Sequence, residues 1–193
     1  MAKKKYEFKP DKISLGVLHK LYLTRQQRLT ILRWVLFGLV LLVMSLLQDV
    51  ILCHMDIFGA TTDLVPCAIF LTCMLLGTQK GCLYALISAC LFQFSGSGPG
   101  YHAIALITIL CILGAIFRQS FLRKGFGSCL LCAGGCHLLY ELIVFFVGLL
   151  LGQTTFARIG VALGTGILSL LAIPVLYPIL RAIEKIGGET WKE

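Results

Sequence analysis

The stretch LTILRWVLFGLVLLVMSLLQDVIL, residues 29–52, decides the fold class of this chain. Apart from Arg33 near its start and Asp49 near its end, it carries no charged residue. A helix of about 20 predominantly apolar residues is long enough to cross the hydrocarbon core of a bilayer. We therefore predict that this stretch forms a transmembrane helix.

The rest of the chain has the same apolar character. Hydrophobic residues make up 58% of the 193 residues and charged residues 13%, whereas about a quarter of an ordinary soluble domain is charged. The mean hydropathy of +0.91 indicates more apolar surface than a soluble fold of this length could bury. Five further apolar segments cover residues 64–77, 81–94, 103–117, 129–151 and 159–180. We predict an all-α polytopic membrane protein with a six-helix transmembrane domain at residues 29–181.

Three of these segments differ from a simple straight span. The second and third are shorter than the roughly 17–25 residues that an unaided crossing requires. Either their helices extend into the flanking residues, or they lie where the bilayer is thinned and other parts of the protein cover them. The sixth contains Pro174 and Pro178, which we expect to bend it.

The distribution of basic residues predicts the orientation of the helices. If the N-terminus is cytoplasmic, all but one of the 17 Lys and Arg residues face the cytoplasm, and Arg158 is the exception. Both chain ends are then cytoplasmic, as a basic segment at residues 1–28 and a short tail at residues 182–193. Two interpretations of the basic segment stay open. It is either an interfacial helix on anionic lipid or a disordered basic tail.

The net charge of +8 follows from this topology and does not indicate nucleic-acid binding, because the basic residues cluster in short polar segments between apolar runs. The same segments are too short to hold a soluble catalytic domain. Almost all of the nine cysteines lie within the apolar segments, where they are expected as small packing residues. A disulfide framework would place them in polar loops instead.

Glu141 is the clearest candidate for chemistry, because a charged group inside a span is costly. His137 lies four residues earlier on the same helical face, so the two side chains could pair. Such a pair could serve a proton relay or a ligand site. The alternative, which we favour, is a hydrogen-bonded packing cluster that includes Tyr140.

Cys129, Cys132 and Cys136 precede His137 at helical spacing and could present soft ligands to zinc or copper. The surrounding small residues favour helix packing instead, so we predict neither a metal nor a cofactor.

Two glycine pairs and one aspartate predict structural roles. Gly148 and Gly152 form a GxxxG pattern in the fifth segment, and Gly160 and Gly164 form another in the sixth; both predict close helix packing. Asp63 directly precedes the second segment, where we expect it to act as an N-cap.

Several short motifs resemble those of the rod-shape-determining protein MreD family. Thr62-Asp63-Leu64 is similar to the family's Pro-Asp-Leu motif, and Gly100-Tyr101-His102-Ala103 is similar to its Gly-Leu-His-Ala motif. Gly77 and Gly81 before a short third helix also match the family pattern. The family's aspartate near the end of that helix is replaced here by Gln93, which keeps a hydrogen-bonding group but not a charge.

The resemblance implies a non-enzymatic membrane scaffold of the bacterial cell-elongation machinery, which organises peptidoglycan synthesis. It implies as partners an MreC-like bitopic protein and a cell-wall synthase made of a RodA-type glycosyltransferase and a penicillin-binding transpeptidase. The actin-like MreB filament and membrane lipid are further expected partners. It also implies a helical core similar to the substrate-binding (S) subunits of energy-coupling-factor (ECF) vitamin transporters.

That shared fold leaves an alternative function open, the S subunit of an ECF vitamin transporter. Its outer cavity would be built from the loops between spans one and two, three and four, and five and six. The first segment contains no alanine, however, and so lacks the alanine-rich face through which such subunits dock. A third interpretation, an intramembrane enzyme built around His137 and Glu141, has no recognisable nucleophile or metal set.

Overall fold

The computed structural model describes residues 25–54, 59–96, 98–122 and 125–186, and this part of the chain is built from helices. The α-helices are α1 Arg25–Val50, α2 Leu64–Leu76, α3 Thr78–Phe94, α4 His102–Phe121, α5 Phe126–Leu150, α6 Ile159–Leu170 and α7 Ala172–Glu184. One-turn 3-10 helices occur at Leu52–His54 and Phe156–Arg158. The predicted all-α class is confirmed for the described residues. Most of the predicted basic N-terminal segment and residues 187–193 of the predicted tail lie outside them.

Four helical stretches are long and apolar enough to cross a membrane. They are Gln27–Val50, His102–Phe121, Phe126–Leu150 and Phe156–Glu184. The remaining two predicted segments correspond to α2, a shorter apolar helix of 13 residues, and α3, which has 17. Several helices extend beyond the predicted segments, because an apolar run marks only the part of a helix suited to hydrocarbon and the backbone bonding continues into polar residues.

The short helix α2 lies at the centre of the bundle. Every residue of α2 after Leu64 is buried, and the helix contacts α1 and each of the helices from α3 to α7. Its apolar residues therefore face protein on all sides, as expected for a helix that is hydrophobic all round. Of the two explanations for its shortness, this burial favours cover by protein.

A single glycine joins α2 to α3. Gly77 has φ of +79°, a backbone conformation that side chains with a Cβ rarely adopt, and its N–H donates to the Cys73 carbonyl at 3.1 Å. One turn later, a Cβ on Gly81 would lie 2.7 Å from that same carbonyl oxygen. Both glycines are thus required for the tight α2–α3 hairpin.

The sixth predicted segment, which its prolines were expected to bend, is interrupted. α6 ends at Leu170 and α7 begins at Ala172. Pro174 has no N–H to bond the carbonyl four residues earlier, and its ring collides with that carbonyl, so the continuous hydrogen-bond ladder stops at this point. Pro178 lies inside α7 without ending it.

Basic side chains collect at the end of the bundle where α2 finishes. The Glu184 carboxyl group there interacts electrostatically with four basic side chains, which are Arg33, Arg118, Arg181 and Lys185. The Arg118 guanidinium also donates to the carbonyl oxygen of Met74, in the last turn of α2. A cation at a helix C-terminus interacts favourably with the negative end of the helix dipole. At this end of the bundle Arg118 therefore stabilises the C-terminus of α2.

Candidate functional site

Two carboxyl groups meet at the opposite end of α2. Asp63 directly precedes α2 and Glu141 lies in the second half of α5, and their side chains are within hydrogen-bonding reach of each other. An ionised carboxylate has no proton to donate, so two carboxyl groups can hydrogen-bond only while one of them is protonated. We therefore predict that the pair shares one proton, as adjoining carboxyl groups do elsewhere.

Asp63 occupies the predicted N-cap position, but its predicted capping role is wrong. Its side chain makes no hydrogen bond to the first turn of α2. The cap comes instead from α1, where Gln48 Oε1 accepts a hydrogen bond from the Val65 N–H at 2.9 Å. Gln48 Nε2 approaches Asp63 Oδ1 at 3.5 Å. The glutamine takes over the cap and leaves the Asp63 carboxyl group oriented toward Glu141.

The other side of Asp63 is fixed by α6. Ser169 is fully buried, and its Oγ accepts a hydrogen bond from the Asp63 N–H at 2.8 Å while donating to the Thr165 carbonyl at 2.7 Å. The Cys67 thiol donates to the Ser169 carbonyl at 3.5 Å. Four helices therefore position the carboxyl pair. Sequence analysis missed Gln48 and Ser169, and the available signal was that each is a polar residue within an apolar helix.

His137 lies beside this pair, on the face of α5 that the sequence predicted. Its side chain is fully buried, and its Nε2 lies 3.8 Å from Glu141 Oε1, which is too long for a hydrogen bond. Within the described residues, neither His137 ring nitrogen nor Glu141 Oε1 has a hydrogen-bond partner. Tyr140 contacts His137 through its ring, with centroids 6.5 Å apart. The three side chains are neighbours, but His137 forms none of the hydrogen bonds expected of the cluster, and Glu141 is directed to Asp63 on α2.

A cavity of about 240 Å³ opens on Glu141. Its wall is formed by the loop before α4, the second half of α5, the loop after α5 and one turn of α6. The polar residues that line it are Glu141, His102, Gln153 and Thr154. His102 Nε2 is buried and, within the described residues, has no hydrogen-bond partner. His102 and Glu141, which each have one buried polar atom without a partner within the described residues, thus both line this cavity.

The remaining motif residues lie at helix junctions. Leu64 is the first residue of α2, and Gly100 precedes α4 with φ of +139°. A Cβ on Gly100 would lie 2.9 Å from the His102 ring, so this glycine leaves room for the histidine. Gln93, where the family has an aspartate, lies near the end of α3 against Gly98. Of these residues only His102 lines the cavity.

The two glycine pairs have different outcomes. Gly148 and Gly152 do not form a helical GxxxG face, because α5 ends at Leu150 and Gly152 lies beyond it with φ of +71°. Gly152 instead terminates the helix, and the Gln153 N–H after it donates to the Gly148 carbonyl at 2.9 Å. A Cβ on Gly164 would lie 3.3 Å from the Ala60 side chain, whereas a Cβ on Gly160 would meet nothing within 4 Å. In the α6 pair, Gly160 but not Gly164 is thus open to a partner.

The described cysteines contribute packing and weak hydrogen bonds. Cys73 and Cys136 donate to the carbonyls of Cys111 and Leu110 at 3.6 and 3.5 Å. Within residues 25–54, 59–96, 98–122 and 125–186, no three His, Cys, Asp or Glu side chains are grouped so that they could hold a metal ion.

In comparisons with known proteins, no family model, no curated protein and no solved structure matches this chain. Its chemistry must therefore be inferred from its own residues. The carboxyl pair and the histidine beside it are groups that can hold a proton or a small cation.

Proposed function

We propose that this protein is a non-enzymatic scaffold of the bacterial cell-elongation (rod) complex, which organises peptidoglycan synthesis and thereby cell shape. The observation that carries the proposal is the position of the MreD-like motif fragments. Asp63-Leu64 begins α2, Gly77 and Gly81 form the α2–α3 hairpin, and Gly100 and His102 begin α4. These residues lie at helix junctions and so determine how the helices are joined. If the chain shared its fold with the MreD family, residues at such positions would be the ones retained.

The proposal includes a multi-pass topology in the cytoplasmic membrane. In it, α1, α2, α3, α4, α5 and the broken α6–α7 helix form six spans, with both chain ends in the cytoplasm. Support comes from the basic side chains around Glu184, which come from α1, α4 and α7 and lie at one end of the bundle. Basic residues are enriched on the cytoplasmic side of membrane proteins. The carboxyl pair then lies toward the outer leaflet, and α2 is a buried span with little lipid contact.

A scaffold needs a surface for its partners, and α6 offers one. Gly160, Leu163, Ile167 and Leu171 are exposed and recur along one side of the helix. The open space above Gly160 would allow the backbone of another helix to approach closely, as small residues do in membrane helix pairs. We assign this α6 face to the transmembrane helix of an MreC-like bitopic protein.

The basic end of the bundle suits the remaining partners. Arg33, Arg118, Arg181 and Lys185 provide positive charge where the spans would meet the cytoplasm. Such charge attracts anionic lipid headgroups and acidic protein surfaces, such as that of an MreB-like filament. The synthase, made of a RodA-type glycosyltransferase and a penicillin-binding transpeptidase, would be recruited alongside the bitopic protein.

Affinity purification of the tagged full-length protein from its own membranes tests this proposal. We expect an MreC-like protein and the elongation synthase to be identified by mass spectrometry. Gly160→Leu should abolish their recovery, because the larger side chain prevents close helix approach. Gly38→Leu is the matched control, since a Cβ on Gly38 in α1 also meets nothing within 4 Å. Intact recovery with Gly160→Leu would remove the α6 face from the proposal, and absence of both partners from the wild type would overturn the scaffold function.

The cavity beside Glu141 favours a second candidate, the S subunit of an ECF vitamin transporter, whose fold the bundle would share. Its volume of about 240 Å³ is below the roughly 300–1,000 Å³ typical of sites for drug-sized ligands. A vitamin would therefore fit poorly, and we rank this candidate second. Recovery of ATPase and coupling subunits in the same purification would reverse the order.

A further inference from the structure

The helix α3 is too short for a bilayer of ordinary thickness. It has 17 residues, so at a rise of 1.5 Å per residue it measures about 25 Å from end to end. The hydrocarbon core of a typical bilayer is about 30 Å thick, and any tilt of α3 would reduce the depth that it covers. The equally short α2 is covered by protein on all sides, so the question is whether α3 is covered too.

One face of α3 is not covered by the described part of the chain. Its large apolar side chains are between 46% and 83% exposed, and they are Leu83, Leu86, Ile87, Leu91 and Phe94. The outermost two, Leu83 and Phe94, are eleven residues apart, which is about 17 Å along the helix. Polar exposed residues follow at both ends, Gln79 and Lys80 before the apolar face and Ser95 after it. The apolar surface of α3 is therefore even shorter than the helix.

Neither end of α3 can lie within the hydrocarbon. At one end Gly77 forms the tight turn from α2, and the Thr78 hydroxyl donates to Gln119 Oε1 of α4. At the other end a polar turn begins at Ser95. Non-helical backbone does not face lipid tails, because its N–H and C=O groups would find no partner there. If α3 crosses the membrane, the hydrocarbon beside it is thus at most about 25 Å thick.

Two other helices present longer apolar surfaces. The exposed apolar side chains of α1 run from Ile31 to Val50, a distance of about 29 Å along the helix. Those of α5 run from Phe126 to Leu150, which is about 36 Å. Both lengths suit a core of about 30 Å or exceed it. The bundle therefore requires a thinner bilayer beside α3 than beside α1 or α5.

We propose that the exposed face of α3 binds a locally thinned bilayer, in which lipids with short acyl chains are preferred to longer ones. The proposal rests on the six-span topology suggested above, but not on the partners of the scaffold. Thinning of the bilayer is one of the ways in which a short hydrophobic stretch is accommodated. Lys80 suits the edge of such a region, because its aliphatic stem can cover apolar surface while the ammonium group reaches the headgroups. Phe94 suits the opposite interface, where aromatic side chains are common, although tyrosine and tryptophan are the typical ones.

The distribution of small residues on α3 favours lipid over a partner helix. Small side chains allow close helix approach in membranes, and on α3 they are Gly81, Ala85, Ser88 and Ala89. All four are buried within the bundle. The side of α3 suited to helix packing is thus already occupied, and only its bulky side faces the surroundings. On α6 the reverse holds, since Gly160 is open.

The test uses the full-length protein in lipid vesicles, with a single tryptophan as reporter of the adjoining lipid. In a Trp34→Phe and Trp191→Phe background, Leu86→Trp places the reporter near the middle of the exposed face of α3. Leu39→Trp is the matched control near the middle of α1, since both leucines are about half exposed. Bromine on acyl chains quenches nearby tryptophan fluorescence. Brominated oleoyl phosphatidylcholine is therefore mixed with unbrominated myristoyl or oleoyl phosphatidylcholine, and the loss of quenching reports which chain length each face prefers.

We expect the shorter myristoyl lipid to displace brominated lipid from Leu86→Trp at least about twofold more effectively than the oleoyl lipid does. At Leu39→Trp it should have no such advantage. An equal or larger advantage at Leu39→Trp would overturn the proposal, as would no advantage at either position. So would a Leu86→Trp reporter that brominated lipid does not quench, because protein would then cover α3 or α3 would lie outside the membrane. Recovery of partners in the affinity purification is a separate readout, so the scaffold function can fail or stand independently.

A further pair of variants tests whether the length of the apolar face is the cause. Gln79→Leu combined with Lys80→Leu extends this face by about one turn and should bring the preference at Leu86→Trp close to that at Leu39→Trp. Arg28→Leu is the matched control, because it removes an exposed cation near the start of α1, whose apolar surface is already long enough. It should leave the preference at Leu86→Trp unchanged. A preference that persists in the double variant, or that is lost equally in Arg28→Leu, would overturn the proposal.

Discussion

The two ends of α2 are built on opposite electrostatic principles. At the Leu76 end opposite charges meet, since Glu184 lies among four basic side chains and the Arg118 guanidinium bonds the Met74 carbonyl. At the Asp63 end two carboxyl groups meet, and buried polar atoms around Glu141 have no partner within the described residues. Buried polar atoms without a partner within the described residues occur at both ends, Arg118 Nε among them, so the pairing of charges is what distinguishes the two ends.

This difference separates the structural part of the molecule from the candidate site. The same central helix is capped at one end by a cation that complements its dipole. At the other end its cap is supplied by Gln48 of α1, so that Asp63 is released for contact with Glu141. Strained or unsatisfied polar groups collect at functional sites because packing elsewhere compensates for them. Perturbing each end should therefore have different consequences.

The largest effect is expected at the hairpin of the Leu76 end. Gly81→Ala places a Cβ 2.7 Å from a backbone oxygen of Cys73, which cannot move aside as a side chain could. We expect a loss of about 3 kcal/mol in the free energy of unfolding, the upper part of the range for overpacking. Gly135→Ala is the matched control, because its Cβ meets nothing within 4 Å on an exposed face of α5. Equal stability of the two variants in denaturant titrations would contradict the tight α2–α3 contact.

The second prediction compares one substitution at each end of α2. Arg118→Met removes the cation that bonds the Met74 carbonyl and lies near Glu184, and we expect it to destabilise the protein by about 2 kcal/mol. Glu141→Gln replaces one of the two adjoining carboxyl groups at the other end by a neutral amide and should leave the unfolding free energy unchanged or higher. Thermal unfolding of both variants in the same detergent measures the difference. If the two substitutions destabilised the protein equally, the two ends would not differ in the way we describe.

A smaller loss of stability is expected when the hydrogen bond from the Asp63 N–H to Ser169 is removed. Ser169→Ala removes the acceptor of the Asp63 N–H at 2.8 Å and leaves a buried donor unpaired, which costs about 1 kcal/mol. Ser169→Thr keeps the hydroxyl and should recover part of the loss. Hydrogen exchange at the Asp63 amide, measured by NMR, should accelerate in the alanine variant only. Unchanged exchange would show that α6 does not hold the Asp63 end.

Much of the fold could be predicted from the sequence, because hydropathy acts locally. The six apolar segments correspond to α1, α2, α3, α4, α5 and the broken α6–α7 helix, and the break follows from Pro174, whose effect depends only on its neighbours in the chain. The end of α5 was misjudged because Gly148 and Gly152 have helical spacing in the sequence, and only the backbone shows that Gly152 follows the helix.

The candidate site was only half predictable for a related reason. The proximity of His137 and Glu141 follows from helical periodicity, since both are on α5. The pairing of Glu141 with Asp63 depends on how α2, α5 and α6 pack together. Gly166 allows α6 to approach α5 closely, since a Cβ there would lie 2.9 Å from the Leu138 side chain. No spacing rule connects positions so far apart in the chain. For the same reason the supporting roles of Gln48 and Ser169 became evident only from the structure.

The central claim, that Asp63 and Glu141 share one proton, can be measured most directly by infrared spectroscopy of the protein in lipid at neutral pH. A protonated carboxyl group has a carbonyl stretch distinct from that of a carboxylate. We predict that the wild type shows this band and that Asp63→Asn and Glu141→Gln each lose it, because the remaining carboxyl group can then ionise. Glu184→Gln should retain it. A wild-type spectrum without the band, or a band that persists in both variants, would contradict the shared proton and with it the distinction between the two ends of α2.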